Sequence, residues 1–207
     1  MFPKKSYSIE IWDEDGSDMS VSLLDLPKEE DWVLYGPYSD KTLLRNVIAY
    51  NTSRPFLPFN PKTKFIELYL KTDDNPLSNS HYVGLYVLTE KIKRDKNRVN
   101  IKKLSDEDNS DPEVSGGYIL EITQKMKLKS DDVFFQSNRG SGTDYLYFIY
   151  TYPKGNKISE TQRYWIKNYI NEFEQSLFLD TFKEWGSFNH YTEYVDVSSF
   201  IDVLIVT

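Results

Sequence analysis

Three stretches of this chain read as buried β-strands and yet carry charge. They are Pro3-Lys4-Lys5-Ser6-Tyr7-Ser8-Ile9-Glu10-Ile11, Gly84-Leu85-Tyr86-Val87-Leu88-Thr89-Glu90-Lys91-Ile92 and Ser115-Gly116-Gly117-Tyr118-Ile119-Leu120-Glu121. A charge taken out of water is costly unless a partner or a charged ligand meets it. Any fold must therefore give Lys4, Lys5, Glu90, Lys91 and Glu121 an ionic partner, a surface position or a ligand. With 39% hydrophobic and 15% aromatic residues, the chain has enough apolar material to bury a core around those strands, so global disorder is excluded.

The strands follow from spacing. Lys5, Tyr7, Ile9 and Ile11 alternate with Ser6, Ser8 and Glu10, the period of a half-buried strand. Val21, Leu23, Leu24 and Leu26 predict a second short strand and a loop, and Trp32-Val33-Leu34 a short apolar segment before Gly36-Pro37. Ser39 or Asp40 is placed to cap a helix from near Lys41, with Leu43, Leu44, Val47 and Ile48 on one face. The runs 65–70 and 82–92 predict a hairpin, 99–104 another short strand, and the acidic stretch 105–113 a flexible surface loop. Strands are expected at 118–123, 133–135 and 145–152, the last two flanking a loop at Asn138-Arg139-Gly140-Ser141-Gly142. After Pro153 the period becomes helical: Ser159 and Gln162 have capping-box spacing, and Asp196 or Ser198 opens a last helix.

The charge balance narrows function. A net charge of −7 argues against nucleic acid as the main partner, because phosphate contacts need a basic footprint. The one strong basic stretch, from Lys91 to Lys103, reads as a solvated turn. Cysteine is absent, so disulfides and cysteine metal sites are too. No apolar run reaches the length of a membrane span. The two histidines, His81 and His190, lie far apart and read as ordinary surface or partly packed residues; no metal-ligand pattern and no nucleophile elbow accompanies them.

The remaining charged constellation is Lys4, Lys5, Lys41, Arg45, Glu90, Lys91 and Glu121. Phosphoryl transfer rests on positioning and charge neutralisation, and needs a lysine on the phosphates with an acid to hold it. The same residues serve equally as ion pairs at a sheet surface, and the residues alone favour that plainer reading.

The order of these segments resembles the CotH kinase family. The resemblance runs from Pro3-Lys4-Lys5-Ser6-Tyr7 through Trp32-Val33-Leu34, Asp40-Lys41-Thr42-Leu43-Leu44-Arg45-Asn46, Phe65-Ile66-Glu67-Leu68-Tyr69-Leu70 and Tyr82–Ile92 to Ser115–Glu121. It implies an α+β, protein-kinase-like fold: a mostly antiparallel small lobe with one inserted helix, then the first helices of a helical lobe. On that reading 1–207 is a single domain fragment, β-rich over 1–152 and helical over 153–207. The resemblance implies ATP and Mg or Mn, a Ser-containing protein substrate, and a parent protein that is extracellular, on the cell surface or in a spore coat. It assigns phosphate contact to Lys5 or Lys4, orientation of a lysine or metal to Glu90, and the adenine pocket to the backbone near Glu121. The family's catalytic and metal-binding Asp residues are expected beyond Thr207, so none is assigned within the chain, and the fragment alone is expected to be inactive. The alternative is a non-catalytic surface or adhesion module on the same fold that binds peptide or glycan.

Overall fold

The computed structural model describes residues 3–138, 145–178 and 190–206. The chain forms two compact units, Met1–Ile92 with Asp202–Thr207, and Lys93–Ile201. The switch from strands to helices near Pro153, the boundary marked by composition, lies inside the second unit.

The first unit is built on a four-stranded antiparallel sheet. Its strands are β1 (Tyr7–Glu10), β2 (Asp31–Tyr35), β3 (Thr63–Tyr69) and β4 (Tyr82–Glu90), in the order β1-β2-β4-β3. Because side chains alternate along a strand, one face collects every second residue. Trp32 and Leu34 of β2 and Tyr86 and Leu88 of β4 are buried there with Leu26, and Tyr7, Ile9, Ile66 and Leu68 pack against them. The segment Trp32-Val33-Leu34 is thus a central strand.

The expected strand at 21–26 does not form. Leu24 and Asp25 take φ of 49° and 63°, in the left-handed region that no strand uses, and only Val21 bridges, to Glu29. The segment is a loop that drops Leu26 into the core. Helix α1 (Arg45–Ser53) starts four residues later than the spacing suggests. Leu43, at φ 63°, breaks the approach, and the Asp40 carboxylate reaches forward to accept the Arg45 N–H at 2.9 Å. Asp40 still satisfies a helix-terminal donor, from further away.

The second unit holds the antiparallel sheet β5 (Ile119–Thr123), β6 (Phe134–Gln136) and β7 (Tyr147–Tyr152), ordered β5-β7-β6. Helix α2 (Glu160–Phe178) lays Trp165, Ile166, Tyr169 and Ile170 against Phe135, Phe148 and Tyr150. These helix residues recur at one-turn spacing, so they share one face. The predicted capping box is present: Gln162 N–H donates to Ser159 Oγ at 3.2 Å, and Ser159 N–H to Gln162 Oε1 at 3.2 Å. Helix α3 (Val197–Val206) follows Asp196, which accepts from the Ser198 N–H and the Ser199 hydroxyl. Among the described residues no helix is long and apolar enough to cross a membrane.

Two further expectations for this unit are corrected. Residues 99–104 form no strand; Val99 bridges Arg94 once and then turns, with Ile101 N–H on the Val99 carbonyl. The acidic stretch after Leu104 is tied down. Asp108 accepts from both the Ser105 N–H, at 2.7 Å, and its hydroxyl, at 2.9 Å, and the fully buried Gln162 donates to the Ser105 and Asp108 carbonyls. The loop expected at 138–142 lies outside the described residues, apart from Asn138.

Candidate functional site

The chain approaches β1 through Lys4 and Lys5, and leaves β2 through Gly36. These two backbone passages press together. A Cβ on Gly36 would stand 2.9 Å from the Lys5 carbonyl oxygen and 2.9 Å from Cε1 of Tyr86, so only glycine fits without a shift. The contact is fastened by hydrogen bonds: Gly36 N–H donates to Ser6 Oγ at 3.0 Å, and the Tyr86 hydroxyl donates to the Lys5 carbonyl at 2.9 Å.

This close approach separates the two lysines. Lys4 is half-buried, with its ammonium 4.7 Å from the centre of the Tyr86 ring and donating to the Leu85 carbonyl of β4. Burial pulls its pKa down. The Lys4 charge is therefore held by a carbonyl and an aromatic face. Lys5 is exposed, and among the described residues no carboxylate pairs with it. Both line a cavity of about 310 Å³ with Ser6, Tyr35, Gly36, Tyr38 and Ser39.

Lys41 reaches the rim of this cavity through Tyr38: its ammonium donates to the Tyr38 carbonyl at 3.1 Å and lies 4.7 Å from the ring centre. Arg45 projects into solvent, with Nε 3.7 Å from the buried Asp40. The Asp40 carboxyl is held below its ordinary range, first by the Thr42 hydroxyl at 2.7 Å and then by the Arg45 and Thr42 amides. Asp40 is thereby a fixed anion at the start of α1.

Glu90 and Lys91 lie at the far end of β4. Glu90 stands five positions beyond Leu85, about 17 Å along a strand. Glu90 is buried and accepts the Lys62 N–H at 2.9 Å; Lys91 pairs with Asp31 at 2.7 Å. The geometry thus groups Lys4, Lys5 and Lys41 and leaves Glu90 and Lys91 apart from them. Glu121 belongs to the second unit, where it is exposed on β5, at the edge of the three-stranded sheet.

Spacing alone pointed to neither the aromatic nor the acidic neighbours. Tyr86 and Gly36 read as packing and punctuation, although a glycine directly after a central strand is a signal of close backbone approach. Glu29, Glu30 and Asp31 bring carboxylate oxygens within 4.8 Å of one another. Each already serves a protein group: Glu29 the Glu30 N–H, Glu30 the Ser20 hydroxyl, and Asp31 the Lys91 ammonium. His81 is more buried than expected. Its Nδ1 accepts the Ser78 N–H at 3.0 Å and its Nε2 faces Asp73 at 3.2 Å, a brace for the loop between β3 and β4.

The comparison with known families decides the membership. A family model described as CotH kinase protein matches residues 1–207. The chain belongs to this family. No curated protein and no solved structure matches it. The CotH segments noted in the sequence now have positions: the Lys-Lys-Ser approach to β1, the Asp40 brace before α1, and the β3–β4 hairpin all lie in the first unit. Membership of a kinase family makes the open ammonium of Lys5 the feature most in need of a chemical account.

Proposed function

We propose that this protein is a protein kinase that transfers the γ-phosphoryl group of ATP to the hydroxyl of a Ser in a secreted, spore-coat or surface protein. On this reading residues 1–152 would form the small lobe and 153–207 the start of the large lobe of a kinase-like fold. One observation carries the site: Lys5 presents an ammonium with no carboxylate partner among the described residues, on a cavity wall whose backbone is locked by Gly36 and Tyr86.

In the transfer, a bond forms between the Ser oxygen and the γ-phosphorus. The bond from that phosphorus to the β-bridging oxygen breaks, ADP leaves, and the Ser proton passes to a base. Phosphoryl transfer is governed by positioning and by neutralising oxygen charge. Lys5 would hold a phosphate oxygen, Lys41 would add positive potential from the rim, and Lys4 would anchor the wall. A lysine is suited to this as a point charge that follows a moving phosphate. The family implies a divalent metal, which would neutralise phosphate charge when bound. The carboxylates of Glu29, Glu30 and Asp31 are committed to protein partners and so do not fit a metal site.

The test is transfer of labelled γ-phosphate from Mg-ATP or Mn-ATP by the full-length protein onto itself or a Ser-rich acceptor. Lys5→Ala should abolish labelling without lowering the melting temperature. Lys4→Met should lower the melting temperature, because it removes the contact with Tyr86 and Leu85 (about 0.5–2 kcal/mol for a cation over a ring). No labelling together with no ATP-induced thermal shift would sink the kinase reading and leave a peptide- or glycan-binding module on this fold.

A further inference from the structure

The second unit contains a larger cavity, of about 710 Å³, that the transfer site does not use. Its lining combines the apolar and aromatic residues Leu104, Tyr152, Pro153 and Ile158 with the cations Lys103, Lys154 and Lys157. Asp106 is the one carboxylate on the lining, which leaves an excess of positive charge in a chain whose net charge is −7. Among the described residues none of the three lysines has a carboxylate partner.

The walls are built rather than loose. On one side, Lys157 N–H donates to the Lys154 carbonyl at 2.7 Å and Ile158 N–H to the same oxygen at 3.0 Å, closing a tight turn. Gly155 within that turn is buried so closely against Val133 that a Cβ would lie 2.2 Å from it, and Arg163 donates to its carbonyl. On the other side, Leu104 N–H donates to the Tyr152 hydroxyl at 3.1 Å, and Gln162 and Asp108 hold Ser105. Two braced backbones thus carry the three lysines that line the cavity. A cluster of like charges on one cavity raises the local potential for an anion. The α2 N-terminus is already closed by its capping box, so the lysines, and not the helix end, would supply the positive field.

We propose that this cavity binds a phosphomonoester dianion, and that its occupant is a phosphorylated Ser side chain of the acceptor protein. The anion chemistry stands on the lysines; the choice of phosphoserine rests on the kinase reading above. The apolar residues of the lining would seat the neighbouring residues of the peptide while the ammonium groups meet the phosphate. A kinase with such a pocket holds a segment it has already modified and works on the next Ser.

The experiment is calorimetric titration of the full-length protein with four probes: a phosphoserine peptide, the same peptide unphosphorylated, inorganic phosphate and ATP. The phosphoserine peptide should bind at least tenfold more tightly than its unphosphorylated form, and more weakly as salt is raised. Lys154→Glu combined with Lys157→Glu should remove that difference, while transfer onto the unphosphorylated peptide stays unchanged. Both positions are exposed, so the fold is expected to tolerate them, and a melting curve checks this. Equal binding of the two peptides, or full binding by the double variant, overturns the proposal. Binding of inorganic phosphate alone, or displacement of the phosphopeptide by ATP, overturns phosphoserine as the occupant. Loss of phosphopeptide binding in the double variant of a protein with no transfer activity would sink the kinase reading and leave the phosphoserine site standing.

Discussion

Gln162 offers a sharp test of how the second unit is held. It is fully buried, and its amide joins three backbone groups. Nε2 donates to the carbonyls of Ser105 and Asp108, and Oε1 accepts the Ser159 N–H. Gln162→Leu keeps the volume and removes all three bonds. A net hydrogen bond is worth about 0.5–1.5 kcal/mol, and an orphaned buried group costs about 1–3. Ser105, Asp108 and Ser159 are half-exposed, so water can reach part of what is left. The expected loss is therefore about 2–4 kcal/mol, from the lower part of those ranges. For a chain of this size that corresponds to roughly 5–15 °C in melting temperature.

Because the chain has two compact units, the melting curve alone is a blunt assay. Hydrogen exchange of the Asp108 amide, which donates to the Ser105 carbonyl at 3.2 Å, reads the segment directly. Its protection should fall in Gln162→Leu more than that of β1–β4 amides. Gln162→Glu sharpens the argument. A carboxylate there faces two carbonyls, so it should cost more than Leu at neutral pH and recover part of the loss as pH falls and the carboxyl protonates. Loss below about 0.5 kcal/mol for Leu, with no pH-dependent recovery for Glu, would refute the claim that this amide organises the loop.

Gly36→Ala should destabilise the first unit by about 1–3 kcal/mol, the cost of forcing a methyl group into a close-packed contact, because its Cβ meets the Lys5 carbonyl and the Tyr86 ring at 2.9 Å; denaturant unfolding within about 0.5 kcal/mol of the parent would contradict the close fit of these backbones. Burial pushes the Tyr118 and Tyr150 hydroxyls up to about 12 from 10.0. A group with a raised folded pKa contributes stability that is complete below pH 10 and is lost as pH rises toward 12, so alkaline unfolding should coincide with ionisation of these two rings. Tyrosinate absorbance that rises fully before any loss of the folded signal would refute it.

The elements that were legible in the sequence are those with one uninterrupted period. β1, β3, β4, β5 and β7 stand within a few residues of their expected places, as does α2 with its Ser159–Gln162 box. The failures share a cause: a few backbone dihedrals or one distant side chain override composition. Val21, Leu23, Leu24 and Leu26 look like a strand, but Leu24 and Asp25 turn left-handed so that Leu26 can reach Trp32. Leu43 does the same before α1. The acidic segment after Leu104 lacks apolar residues and so reads as loose, yet its order comes from Gln162, more than fifty residues away. Long-range pairing of this kind has no local trace.

The same limit governed the charges. Lys4, Lys5, Glu90 and Lys91 are equivalent on paper, each an ion set in a strand pattern. Strand register separates them. Opposing Trp32 to Glu90 puts Asp31 beside the end of β4, where Lys91 finds it. The close pass of Gly36 and Lys5 puts the Leu85 carbonyl and the Tyr86 ring within reach of Lys4. Glu90 is absorbed by the Lys62 amide at the foot of β3. Once these partners are subtracted, the cost of placing charge in strands has been met for three of the four by the fold itself. Lys5 lies before β1 and is exposed, so its surface position meets that cost; among the described residues no carboxylate pairs with its ammonium, which lines the cavity and can meet a ligand. That is why Lys5→Ala, which should leave stability untouched, is the substitution that separates a phosphate-binding wall from a merely well-packed one.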